Sequence, residues 1–226
     1  ETALDDLSTI EKDGKTIRPK IIASTATVRR AESQIRALFN RRNVDVFPPP
    51  GPDQRDSFFA EAHSTDRSNA RQYLGVAAPG RSPKVVMLRV YLAMLAAGQK
   101  AYDEAGGKKN KDNPADPYMT LLGYYNSLRE LGGARRLVED EVRMQLTGRG
   151  RRKRIDEENG IFKDRTIAYE VVELTSRVST SKVSEAKRRL EQPFFEKDRV
   201  DVALATNMIS VGLDITRLGL MVAYGQ

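Results

Sequence analysis

Three strand-like runs in this sequence stop at small polar residues: Thr120–Tyr125 at Asn126 and Ser127, Ala168–Leu174 at Thr175 and Ser176, and Asp201–Ala205 at Thr206 and Asn207. Hydroxyl and amide groups in such places can hydrogen-bond an anionic ligand, and parallel α/β sheets bind ligands at the carboxyl ends of their strands. Thr206 adds a backbone N–H beside its hydroxyl, and Gly212 permits the close backbone approach that a phosphate or ribose contact requires. The same polar residues would also serve simply to bring each strand out into water. On spacing alone, a ligand-binding edge and an ordinary solvated edge stand side by side.

Other chemistries are excluded more firmly. The chain has no cysteine, so neither disulfides nor thiolate metal sites can form. His63 is the sole histidine, which argues against a histidine zinc site and leaves a Ser-His triad only one candidate base. No Gly-x-x-x-x-Gly-Lys-Ser/Thr loop is present: Gly106-Gly107-Lys108 has the wrong glycine spacing and no hydroxyl partner. Glu139-Asp140-Glu141 and Asp156-Glu157-Glu158 do not end apolar strands, so neither is expected to hold magnesium. No metal ligands and no catalytic residues are therefore assigned.

The elements that must position the polar residues follow from hydrophobic pattern. Ile21-Ile22-Ala23, Val44–Phe47 and Tyr73–Ala77 read as short strands, and Val28, Ala31, Ile35 and Leu38 fall at helical spacing. Phe58-Phe59 would anchor a polar connector. Ser82 and Pro83 suit the cap and first turn of a helix through Val85, Leu88, Tyr91, Leu92 and Leu95. A basic loop around Gly106–Asn110 precedes a repeating rhythm of strand and helix: Thr120–Tyr125, a helix over about 128–144, Ala168–Leu174, a helix over about 183–190, Asp201–Ala205 and Leu218–Tyr224. Apolar runs alternating with helices predict a parallel sheet covered on both faces.

The bulk properties agree. Of the 226 residues, 39% are hydrophobic and 31% charged, as in a globular protein, and a net charge of +7 favours polyanionic partners, nucleic acid first. No apolar run approaches the ~20 residues that cross a bilayer. The acidic start, Glu1–Asp6, lacks a signal peptide's layout, so no membrane partner and a cytoplasmic location are expected.

The order of segments resembles superfamily-two DNA and RNA helicases. Ser24-Thr25-Ala26-Thr27 resembles motif III, Leu121 through Asn126-Ser127-Leu128-Arg129 resembles motif IV, and Glu173–Ser179 with Ala186–Leu190 resembles motif IVa. Asp201–Ile215, an apolar strand followed by Ala-Thr, a small-residue turn and Gly-Leu-Asp-Ile, resembles motif V and is the most specific of the four. Among helicases, the chain is similar to large bacterial genome-defence helicases of the DISARM type.

The resemblance implies an α/β, RecA-like parallel sheet with flanking helices, the P-loop NTPase-like fold of a second motor domain. Residues 1–72 would be the end of a first RecA-like domain plus a connector, and 73–226 the second, helicase C-terminal domain, stopping before motif VI. It further implies that Asn126, Ser127, Arg129, Ser176, Arg177, Thr206 and Asn207 contact the nucleic-acid backbone. Gly212 and Asp214 would face ATP, while Ser24 and Thr27 would couple hydrolysis to domain movement. Some of these have a structural alternative: Asp214 as a cap of the following turn, Arg129 as a solvated surface residue, and Ser24 and Thr27 as a strand end and helix cap. ATP and Mg2+ would bind the full-length parent, and this fragment alone is expected to hold neither tightly, nor to hydrolyse ATP or unwind duplexes. Its partners would be nucleic acid, DNA ahead of RNA, and the rest of the parent helicase. A non-catalytic RecA-like nucleic-acid-binding module is the alternative function. Gly148–Arg154, rich in arginine, reads either as a positive finger on nucleic acid or as a solvated loop; such charge runs are more often the latter.

Overall fold

The computed structural model describes residues 2–24, 30–47, 49, 70–153, 158–206 and 215–225. The chain divides into two compact units, Glu1–Gly75 and Val76–Gln226.

The first unit contains helix α1 (Thr2–Ser8), a hairpin of β1 (Ile10–Lys12) and β2 (Lys15–Ile17), and helix α2 (Ala31–Phe39). The hairpin turns at Asp13-Gly14, both with positive φ, which is the Asp-Gly signature of a tight two-residue turn. α2 falls within the helical pattern read from the sequence. The strands expected at Ile21–Ala23, Val44–Phe47 and Tyr73–Ala77 do not form: these residues are irregular, and Ile22 is 88% exposed. A strand is stable only against a ladder partner that takes up its N–H and C=O groups, and no described strand lies beside these three.

The second unit begins with α3 (Pro83–Glu104), whose Ser82 cap accepts a hydrogen bond from the Val85 N–H through its hydroxyl, with Pro83 in the first turn as expected. Four parallel strands follow: β3 (Leu121–Tyr125), β4 (Val172–Leu174), β5 (Val202–Ala205) and β6 (Leu220–Tyr224), in the spatial order β4-β5-β3-β6. This mixed α/β architecture, a parallel sheet flanked by helices, is consistent with the RecA-like fold. Helix α4 (Leu128–Leu137) follows β3 and runs through a π turn (Val138–Val142) into α5 (Arg143–Leu146). Helix α6 (Thr180–Glu191) connects β4 to β5.

The period-two alternation of the strands sorts the core into two layers. Leu121, Tyr125, Val202 and Leu204 pack against α3 and α4 through Tyr91, Leu95, Leu131 and Leu137. Leu122, Val172, Leu174, Ala203 and Ala205 pack on the opposite side against Ala186 and Leu190 of α6. Buried on both sides, these strands carry near-continuous apolar sequence, which explains why periodicity found them.

At the amino end of the sheet an ionic core holds the segments together. Asp201, directly before β5, accepts from Arg165 Nη2 at 2.8 Å and from the Ala168 N–H at 2.9 Å. Arg217 donates to Asp116 Oδ2 at 2.5 Å and to Thr120 Oγ1 at 2.9 Å. Among the described residues no helix is long and apolar enough to cross a membrane.

Candidate nucleic-acid interface

Because β3, β4, β5 and β6 are parallel, the residues that follow them share one edge of the sheet. Leu174 and Tyr124 are both in register with Ala205, and Tyr125 is in register with Tyr224. Thr175 therefore lies beside Thr206, and Asn126 beside Gly225. Three strand spacings of ~4.8 Å make this edge about 14 Å wide.

Asn126 is exposed and spans two strands, its Nδ2 donating to the Gly225 carbonyl at 3.2 Å. Ser127 caps α4 in a reciprocal box: its Oγ accepts from the Glu130 N–H at 3.3 Å, while its own N–H donates to Glu130 Oε2 at 3.2 Å. The hydroxyl proton of Ser127 is then the group it retains for a ligand. Ser127→Ala is expected to cost about 1 kcal/mol of stability through loss of the cap. Urea denaturation checks this, and an unchanged midpoint would show that the box contributes nothing. Arg129, one residue into α4, is exposed, and its side chain makes no hydrogen bond or ion pair with another described residue.

On the β4 side, Thr175 is buried and donates through Oγ1 to Glu173 Oε1 at 2.7 Å. Ser176 and Arg177 are exposed, and Arg177 Nη2 lies 3.4 Å from the same Glu173 oxygen. At β5 the structure narrows one expectation. The Thr206 backbone N–H donates to the Leu174 carbonyl at 3.3 Å, extending the β4–β5 ladder by one bond. Its hydroxyl alone remains for a ligand, because a strand end in register with a neighbour continues pairing before it leaves the sheet.

The structure thus brings Asn126, Ser127, Arg129, Ser176, Arg177 and Thr206 to one edge. Asn207, Gly212, Asp214 and Thr27 lie outside the described residues, as do Phe58, Phe59 and His63. Ser24 is described, in an exposed irregular stretch of the first unit. The residues read as facing ATP therefore lie outside the described residues, and among those described no group has the three His, Cys, Asp or Glu side chains that would hold a metal.

The basic run from Gly148 is more built than a free solvated loop. Arg149 is 9% exposed, its guanidinium 5.1 Å from the Phe162 ring centroid, and burial lowers its pKa from the usual arginine value. The Gly150 N–H donates to Asp164 Oδ1 at 2.6 Å, fixing the turn. Arg151, Arg152 and Lys153 remain exposed, and Arg154 lies outside the described residues.

Residue typing missed the partners of this edge: Glu173, Arg135 and Gly225. The available signal was Glu173, enclosed between Val172 and Leu174, since a charge in a strand with two covered faces needs compensation.

No family model matches the chain. It is 41% identical over 226 residues, all of its length, to the DISARM protein DrmA of Bacillus paralicheniformis. The chain spans 19% of that relative's length.

Proposed function

We propose that this homologue of a DISARM protein is the part of an ATP-dependent nucleic-acid helicase or translocase that grips the sugar-phosphate backbone. Asn126, Ser127, Arg129, Ser176, Arg177 and Thr206 are the gripping residues, joined by Asn207. The observation that carries this reading is topological: the polar ends of β3, β4 and β5 lie along one carboxyl edge of an all-parallel sheet. The N-termini of α4 and α6 follow β3 and β4 at the same edge, and their dipoles favour an anion there. Phosphate contacts of this kind are independent of base sequence and weaken with salt.

Gly212 and Asp214 belong in this reading to the wall of the ATP cleft, and Ser24 and Thr27 couple hydrolysis to domain movement. That assignment rests on the motif resemblance. ATP and Mg2+ would be held in the full-length protein jointly with residues outside this chain, acting in the cytoplasm, and bound ATP supplies the energy of movement. The homology fits such a motor to a DISARM system.

The test is a fluorescence-anisotropy titration of labelled single-stranded DNA against the 226-residue chain at several salt concentrations. Replacing Asn126, Arg129, Ser176 and Arg177 together by alanine is expected to weaken binding by about tenfold or more. The slope of log affinity against log salt should fall by about 1.4, at ~0.7 for each of two arginine contacts on a single strand. An unchanged slope would reject the edge as the interface. The same titration with RNA of equal length checks the expected preference for DNA.

A further inference from the structure

Glu173 occupies an odd position for a carboxylate. It lies on β4 between Val172 and Leu174, which pack against α6, so by strand alternation its side chain points to the α4 side of the sheet. That side chain is only 15% exposed, and three donors converge on it. Thr175 Oγ1 donates to Oε1 at 2.7 Å, Arg177 Nη2 approaches Oε1 at 3.4 Å, and Arg135 Nη1 of α4 approaches Oε2 at 3.5 Å.

Two guanidinium groups and a hydroxyl around a pair of anionic oxygens make the donor set of a phosphate site, here filled from within the chain. The contacts differ in tightness. Thr175 holds the carboxylate closely and from a buried position. Arg177 is 57% exposed, and its 3.4 Å separation exceeds the ~2.7–2.9 Å of a well-formed charge-assisted bond. Arg135 is engaged more strongly elsewhere, with its Nε 2.9 Å from Glu139 Oε1. Arg177 is the partner free to leave.

We propose that Glu173 is an internal stand-in for a nucleic-acid phosphate: it holds Arg177 at the sheet edge and yields it to a backbone phosphate when a strand binds. This rests on the reading of the edge as a backbone grip and adds a positioning residue to it. Exchange of one anion for another sets the affinity of this contact below what a free arginine would give. A lower affinity allows a grip to be released as well as made. The net gain from removing the stand-in is then of the size of one exposed ion pair, up to about fivefold in affinity.

The experiment is a double-mutant cycle in the same anisotropy titration, with Glu173→Gln, Arg177→Ala and the double variant of the 226-residue chain. Glutamine keeps an oxygen for Thr175 and removes the charge. Glu173→Gln is expected to bind single-stranded DNA about threefold to fivefold more tightly. Arg177→Ala should bind more weakly with a flatter salt slope, and the gain from Glu173→Gln should vanish in the double variant. Glu173→Asp retains the charge but withdraws it by one methylene, and should give a smaller gain in the same direction; it serves if the glutamine variant does not fold. Weaker or unchanged binding in the Glu173 variants, with Arg177→Ala still impaired, overturns the stand-in and leaves the grip intact. Unchanged binding in every variant overturns the stand-in and removes Arg177 from the grip, whose other residues the fourfold variant tests separately. A gain that persists without Arg177 overturns the stand-in as well, because the released group is then not Arg177.

Discussion

Asp201→Ala is expected to remove about 3–5 kcal/mol of folding stability, the usual cost of stranding one member of a buried ion pair. The Arg165 and Asp201 side chains are 1% and 2% exposed. Asp201 is the sole carboxylate paired with Arg165 among the described residues; the other contacts of that guanidinium are the Met119 carbonyl at 2.6 Å, the Leu95 carbonyl at 3.4 Å, the Met119 sulfur and the Phe194 ring. Burial lowers the Arg165 pKa and Asp201 opposes that shift, so removing the carboxylate leaves a buried charge with no opposing partner. The Ala168 N–H would lose its acceptor at the same time. Urea denaturation followed by circular dichroism reads the loss. The paired change Arg165→Met with Asp201→Leu should recover most of it, since replacing both ions by apolar groups is often close to neutral. A loss below ~1 kcal/mol for Asp201→Ala would show that the pair is solvated in solution and that the amino end of the sheet is open.

Gly123→Val should be nearly as damaging, by overpacking instead of by charge. Gly123 sits in the middle of β3, flanked on both sides by paired strands. A Cβ at this position would collide with the Tyr91 hydroxyl and come within 2.8 Å of Leu204 Cδ2 and 3.0 Å of Tyr125 Cε2. None of these can step aside cheaply. Tyr91 and Tyr125 are fully buried, and their hydroxyls share a hydrogen bond of 2.6 Å. Burial pushes the Tyr125 hydroxyl up to about 12, so it remains protonated through the physiological range and keeps that bond. Valine adds three carbons here and should cost about 3 kcal/mol, at the upper end for inserted methylenes in a packed core. Alanine should give a smaller loss. Tyr91→Phe in the Gly123→Ala background should restore part of it; no recovery would place the clash elsewhere.

How much of this was legible beforehand follows from where the side chains face. β3 and β5 were readable because a strand covered on both sides must be apolar throughout; β6 was readable from its apolar run alone, although Met221 on this edge strand is 55% exposed; and the α3 cap was readable because Ser82-Pro83 has few other uses. The one-sided edge followed from parallel pairing once the strands were placed. Nearer the start of the chain the same reasoning failed: Ile21–Ala23 and Tyr73–Ala77 have strand-like residues, yet strand formation needs a neighbour, and composition does not say whether one is present. The motif resemblance assigns Ser127 to a phosphate contact, whereas the structure shows it capping α4, and residue type alone cannot separate the two uses. Glu173 was passed over because its meaning lies in Arg135, thirty-eight positions earlier in the chain, and only the packed helix brings the two together.

The π turn at Val138–Val142 has a consequence for how α4 and α5 meet the sheet. Ala134, Val138, Val142 and Leu146 recur every fourth residue and are all buried. On a plain α-helix such a series winds about the cylinder by ~40° per step, because 3.6 residues complete a turn. Three steps would carry Leu146 about a third of the way round, toward solvent. Each i→i+5 bond of the π turn takes up one more residue per turn than the usual ladder and unwinds that drift. The wide turn is thus a phase corrector: it lets a sequence with the wrong period keep a straight seam against a flat layer of strands.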